Sequence, residues 1–261
     1  MTTEDMIIRI LCVVDEKMVG IAKHPQAKLY PSELVTIGIL FALKGGTFLS
    51  FYRWLKRDYE PLFKQLPDRT RLLRALAAHE DWTNLFLSQP SFFTVADSYP
   101  IELVFPIREG RSPQQIGKKG KDKGRWTIGG RFFALLDCQG RFVEWYWLPL
   151  NYPDKAFNPV AQAFAEQTIT LVDQGFREAL GTPDPLMVCR KQSWNERMVV
   201  ERVFAMLTWV CCLKKLFHRV NAYIFMHLSY GVAMFNVLYA LYHQLYPQES
   251  EFKLSIAQFS L

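Results

Sequence analysis

Cysteine is scarce in this 261-residue chain, and none of it is paired by spacing: Cys12, Cys138, Cys189, Cys211 and Cys212 are odd in number, scattered, and form no C-x-x-C. That excludes a disulfide framework and reads as reduced thiols in a cytoplasmic protein. The five histidines stand at no zinc spacing with them. Internal repeats and low-complexity tracts are absent, which excludes a solenoid or a linker protein. The first residues, "MTTEDMIIRI", are acidic where a secretory leader needs a basic start. Only one apolar run, Asn221 to Tyr242, is long enough to cross a bilayer. It carries Asn221, His227, Ser229 and Asn236, groups that are costly in lipid, and so reads as a buried core or interface helix. A membrane-associated basic protein is the alternative that this run keeps open.

Lysine and arginine number 31 against 25 acids, a net charge of +6, and half of the chain is apolar. Position says more than size. From Arg108 to Arg131 lie Arg108, Arg111, Lys118, Lys119, Lys121, Lys123, Arg125 and Arg131, opposed only by Glu109 and Asp122. This segment alone equals the net charge of the whole chain. A patch of this density suits a polyanion, whose counterions are released as lysine and arginine replace them. A solvated loop has the same composition, but glycines at 110, 117, 120, 124, 129 and 130 favour close approach to phosphates.

Residues 1–90 read as a small helical domain. Pro31 and Ser32 open the apolar run "SELVTIGILFAL", which Gly45 and Gly46 stop, and Asp68 suits the N-cap of "RTRLLRALAAHEDWTNLFL". Basic residues on the outer faces of these helices suit DNA and a solvated surface equally. From about residue 91 strands are expected: "SFFTVADS", the basic glycine-rich loop, the hairpin "WTIGGRFFALLD" and "RFVEWYWLPL", then an amphipathic helix in "DKAFNPVAQAFAEQ" and a buried strand in "TITLVD". A long helix over "WNERMVVERVFAMLTWVCCLKKLFHR" follows. The expected organisation is thus α/β: a ribonuclease-H-like mixed sheet flanked by helices over residues 91–245, preceded by the helical domain and followed by a tail at 246–261.

Two of these strands end on a lone carboxylate, in "TVADSYP" and "TLVDQGF". Where a first, central strand has a later parallel strand beside it, Asp97 and Asp173 come side by side, and two close carboxylates are cheap to ionise only around a cation. Mg²⁺, a hard ion that takes a few carboxylates and completes its shell with water and phosphate oxygens, is the natural one. Glu201 is the candidate third acid, with Arg197 one turn before it on the same helix face. A surface ion pair accounts for those two residues equally well.

Together these segments resemble the DDE transposases of bacterial insertion sequences, from about residue 92 to about residue 242. "ADSYPIEL" resembles the motif of the first aspartate, "LVDQGF" that of the second, and "WNERMVVERVFAML" that of the glutamate. The family pattern Y-x-x-R-x-x-x-E-x-x-x-x-x-x-K has Trp194 in place of tyrosine, matches at Arg197 and Glu201, and has Thr208 where lysine is expected. The resemblance implies two Mg²⁺ ions per site, with Mn²⁺ able to stand in, held by Asp97, Asp173 and Glu201. It implies strand cleavage and joining at the ends of the element, and two or more copies assembled on DNA. Arg108, Arg111, Lys118, Lys119, Lys121, Lys123 and Arg125 would follow the DNA backbone, with Trp194, Arg197 and one of Lys214 and Lys215 nearer the cut. The departure at Thr208 keeps open a catalytically inactive, DNA-binding remnant.

Other acids have simpler readings: Asp137 at a hairpin tip, Glu144 within a strand, Asp154 as a helix N-cap, Asp184 in a turn and Glu196 in solvent. Trp145, Tyr146 and Trp147 read as cross-strand packing rather than base-stacking platforms. Trp126 and Trp194, beside basic residues, are the better aromatic candidates for DNA.

Overall fold

The computed structural model describes residues 1–113, 115–122, 124–189, 198–259 and 261. Lys123, Trp194, Glu196 and Arg197 lie outside the described residues. The chain divides into two compact units, residues 1–86, 208–213 and 221–261 in one, and residues 87–207 and 214–220 in the other.

The first unit is helical. It contains α1 (Thr3–Lys17), α2 (Pro31–Lys44), α3 (Phe48–Asp58), α4 (Arg69–Ala78), α7 (Asn221–Leu245) and α8 (Ile256–Phe259). Local chemistry sets the helix starts. Thr2 and Asp5 close a reciprocal capping box, Pro31 takes the first turn of α2, and Asp68 accepts from the amides of Thr70 and Arg71. α7 is apolar all round and therefore needs cover on every side, which α1, α2 and α4 supply. Its most apolar window is 83% buried. Three polar side chains of α7 bond inside the unit: Asn236 donates to the Phe86 carbonyl at 2.8 Å, Ser229 to the Phe225 carbonyl at 2.9 Å, and Tyr230 to the Leu76 carbonyl at 3.3 Å. The expected boundaries therefore shift. α7 belongs with the N-terminal helices rather than with the sheet, and the segment after it is packed, since Phe252 lies 5.4 Å from Phe235 and 4.9 Å from Tyr239, ring to ring.

The second unit is a mixed, open six-stranded sheet flanked by helices, in agreement with the expected α/β class. Its strands are β1 (Phe93–Val104), β2 (Lys118–Asp122), β3 (Arg125–Asp137), β4 (Phe142–Pro149), β5 (Ile169–Val172) and β6 (Leu186–Val188), joined in the order β2-β3-β1-β5-β6 with β4 also on β3. β3 is antiparallel to β1, β2 and β4, whereas β1, β5 and β6 run parallel. Short helices α5 (Asn158–Gln162) and α6 (Met198–Trp209) complete it. On one face Ala96, Phe133, Leu135, Phe157, Val172 and Phe176 form the core.

Four expectations change here. β1 does not stop at Asp97 but continues to Val104, because antiparallel β3 accompanies it nearly to the end and the Pro100 nitrogen costs it little. The basic glycine-rich stretch is not all loop, since Lys118–Asp122 pairs with β3. The helix foreseen over residues 154–167 is shorter, a 3₁₀ turn at Asp154–Phe157 running into α5. α6 ends at Trp209 rather than reaching Arg219: Cys212 adopts φ 53°, a left-handed value that breaks a helix, and Lys214 to Leu216 pair with β1 instead. Trp145 and Trp147 are packed as expected, Trp145 stacked 5.9 Å from Phe132 and Trp147 lying over Gly130.

Gly38 marks a close approach of α2 to α7, because a Cβ there would come within 2.3 Å of the buried Tyr230 ring. Gly38→Ala is therefore expected to destabilise the protein by about 1–3 kcal/mol, the usual cost of overpacking. Urea denaturation should show a lower midpoint with an unchanged slope.

Candidate functional site

The parallel pair β1–β5 is the frame of the site. Its register matches Phe93 with Ile169, Thr94 with Thr170 and Val95 with Leu171. Inside it, the buried hydroxyls of Thr94 and Thr170 are bonded to each other at 2.9 Å, and Thr168 Oγ1 donates to Thr94 Oγ1 at 3.2 Å. A hydroxyl left without a partner in this dry position is costly, so the pair resists slippage of the two strands.

The separation of each matched pair is 76 residues, and that of Asp97 and Asp173 is the same. Each aspartate stands two residues beyond the last matched pair, at equivalent positions where the parallel ladder ends and its strands part. Crevices at the carboxyl ends of parallel strands are where open α/β sheets bind ligands. Both aspartates are half-buried. Asp97 Oδ1 accepts from the Ser98 amide at 2.7 Å, and Asp173 Oδ1 from the Gly175 amide at 2.7 Å, capping the short turn Gln174–Phe176.

Glu201 lies in the first turn of α6. Val200, Val203 and Leu207 bury the helix, Val199 and Val203 approach the β3–β4 turn at Gly140, and the Phe204 ring is 5.0 Å from that of Tyr99. Tyr99 is two residues from Asp97 and shares its face of β1. α6 thus covers the face that carries Asp97. Glu201 itself is exposed on the helix flank. Among the described residues no three His, Cys, Asp or Glu side chains gather in a metal-holding group. The register gives the two aspartates equivalent positions along β1 and β5, and among the described residues Glu201 does not gather with them into a metal-holding group.

Residues outside the expected site make a polar cluster on the Ser98 face of β1, and this cluster extends to Asp173. Asp154 does not cap a helix. Its Oδ1 accepts from Ser98 Oγ and from Arg131 Nη1, the latter at 2.7 Å, and Arg131 Nη1 reaches Ser98 Oγ at 3.2 Å. Asp154 Oδ2 and Asp173 Oδ1 both lie within 3.0 Å of where a Gly175 Cβ would sit. A carboxylate of the site thus has another beside it whose charge Arg131 balances. No local pattern marks Asp154 for this role, since its partners are 23 and 56 residues away. Asp137 organises the hairpin tip as expected, accepting from Ser88, Gln139 and Arg141.

The expected DNA-contacting residues divide. Arg108, Arg111, Lys118, Lys119, Lys121 and Arg125 are exposed, and so is Trp126. Lys119 pairs with Glu109 at 3.2 Å, and its Nζ lies 5.2 Å from the centre of the Trp126 ring. Lys214 and Lys215 are not on α6 as expected. The Glu102 amide donates to the Lys214 carbonyl and the Leu216 amide to the Glu102 carbonyl, stitching this segment to β1. Lys214 Nζ then stands 4.8 Å from the centre of the Tyr99 ring, on the Asp97 side, and Lys215 bonds Glu102 at 3.1 Å.

Comparison with protein-family models, with curated proteins and with solved structures gives no match.

The register argument has a direct check. Thr94→Val should cost about 1–3 kcal/mol, because it leaves the Thr170 and Thr168 hydroxyls buried without this partner. Adding Thr170→Val should cost less than a second independent loss, and a double-mutant cycle by urea denaturation measures the coupling.

Proposed function

We propose that the sheet unit is the ribonuclease-H-like catalytic core of a DDE transposase, which cleaves and joins DNA strands at the ends of an insertion sequence. The observation that carries this reading is the shared 76-residue offset, which aligns Asp97 with Asp173 where β1 and β5 part. The first strand sits centrally with an antiparallel partner on one side and a later parallel strand on the other, an arrangement that supports the ribonuclease-H-like assignment.

The donor set fits Mg²⁺ or Mn²⁺, because two half-buried aspartates with exposed surface beside them suit an ion that completes its shell with water and phosphate oxygens. Asp97 and Asp173 would hold the ions, and Glu201 would join them when DNA is bound. Ions held there would supply activation of the attacking oxygen and charge stabilisation of the leaving one. The remaining roles belong to the chain itself. The Ser98 and Gly175 amides fix the two carboxylates, Arg131 takes up the charge of Asp154, and Lys214 brings a cation to the Asp97 face. The exposed cations of β2 and its flanking loops hold the phosphate backbone without reading sequence. This reading entails action in the cytoplasm, on DNA, by two or more copies assembled on it.

A DNA-binding remnant without catalysis is the second reading, favoured by the exposed position of Glu201 and by Thr208 in the family pattern. The apolar run that suggested membrane association is 83% buried over its most apolar stretch, which supports its reading as a core helix.

Nicking of duplexes carrying the sequences that flank the gene separates these readings. Asp97→Ala, Asp173→Ala and Glu201→Ala should each lower Mg²⁺-dependent cleavage by roughly two to three orders of magnitude, the loss that follows removal of a charge-stabilising group. Binding of the same duplex should survive. Full cleavage in all three variants would overturn the mechanism, and binding with no cleavage by the unaltered protein would establish the remnant.

A further inference from the structure

A cavity of about 560 Å³ opens on the sheet unit between the end of β1, the loop that follows it, and the segment 215–220. Its rim begins at Leu103, six residues and about 20 Å along β1 from Asp97. Its volume falls within the range of small-molecule sites.

Two features of the lining point to the same ligand. Phe105 and Phe217 both line it and are half exposed, at 50% and 53%, so each leaves apolar ring surface open to a ligand. Arg108, Arg111 and Arg219 line it as well, and among the described residues no carboxylate does. These three guanidinium groups make no ion pair among the described residues. The neighbouring cation behaves differently. Lys215 is taken up by Glu102 at 3.1 Å and lies 3.3 Å from the centre of the Phe105 ring, so one face of that ring already carries a cation. His218, also in the lining, has its pKa pushed down to about 4 by burial. It is therefore neutral near pH 7 and adds a hydrogen-bonding edge rather than a charge.

Flat apolar rings ask for a flat apolar partner, and unpaired guanidinium groups ask for an anion that accepts two hydrogen bonds at once. A nucleotide carries both in one molecule. Duplex DNA offers only the anion, because its ring faces are covered by neighbouring base pairs. We propose that this cavity takes one unpaired nucleotide, its base against Phe105 and Phe217 and its phosphate against Arg108, Arg111 and Arg219. The inference does not depend on strand cleavage, since a protein without catalysis would carry the same cavity.

Fluorescence anisotropy with the full chain tests it, using a labelled short oligothymidylate and an abasic oligomer of equal length and charge. The unaltered protein should bind the thymidine oligomer about tenfold more tightly than the abasic one at the same salt, the range expected for stacking a base on an aromatic ring. Phe217→Ala should remove that difference without weakening the abasic oligomer, while Arg219→Ala should weaken both. Phe217→Leu keeps an apolar side chain and discards the flat ring, so it should act like Phe217→Ala in a protein whose thermal unfolding is unchanged. Displacement of the oligomer by thymidine monophosphate would identify a free nucleotide as sufficient; displacement only by unlabelled oligothymidylate would identify a nucleotide within a strand. Equal binding of the two oligomers by the unaltered protein would overturn the proposal, as would a difference that survives both Phe217 substitutions.

Discussion

A hydrogen bond between two threonine side chains, Thr94 and Thr170, fixes how β5 lies against β1, and most of the geometry of the sheet unit follows from it. Parallel strands far apart in sequence have no turn to set their register, so register must come from side chains. A slip of one residue would turn Val172 out of the apolar core and carry Asp173 to the other face. The buried hydroxyls make such a slip expensive on both counts, through lost burial and through lost hydrogen bonding. The alignment of the two aspartates is thus a consequence of packing several residues earlier in each strand, and not of any attraction between the aspartates themselves.

The two faces of this sheet have different chemistry. One is closed by Phe157, Ala161 and Phe176, with Arg131 and Asp154 at its polar margin. The other receives α6 through Phe204 against Tyr99, with Lys214 also near that ring. Tyr99 is therefore a hinge of the arrangement in a spatial sense, since a helix and a cation both meet it one pleat away from Asp97. The positive charge that stands out in the sequence is distributed, among the described residues, over the loop before β2, β2 itself and β3. There the lysines have a second effect, because charged side chains on an exposed sheet edge oppose pairing with another strand.

Much of this was legible in the residues, and the limits have physical causes. The helix starts at Pro31 and Asp68 were readable because capping is local chemistry, and so were the hairpin and the apolar strand leading to Asp173. The strand class was readable too, but its extent was not: β1 passes through Asp97 and Pro100 because β3 accompanies it, and long-range pairing leaves no local signature. For the same reason Asp154 looked like a cap, although its partners lie on β1 and β3. Lys214 and Lys215 looked helical because the apolar periodicity of α6 continues past Trp209, while the pairing that ends the helix is made by distant Glu102. Glu201 was correctly put on a helix, yet its exposure depends on how that helix is rotated, which the sequence pattern of one face does not determine. Trp194 and Arg197, the remaining residues of that motif, lie outside the described residues.

The helical unit draws its central member from the far end of the chain. α2 is buried along nearly its whole length, and α7, which supplies much of its cover, begins only at Asn221. As the polypeptide leaves the ribosome, the sheet unit is complete by residue 220 while the apolar surface of α2 still waits for a partner. Nascent chains of intermediate length are consequently sticky, and interrupted translation or a premature stop codon before α7 would yield aggregates or chaperone-bound fragments instead of a usable shorter protein.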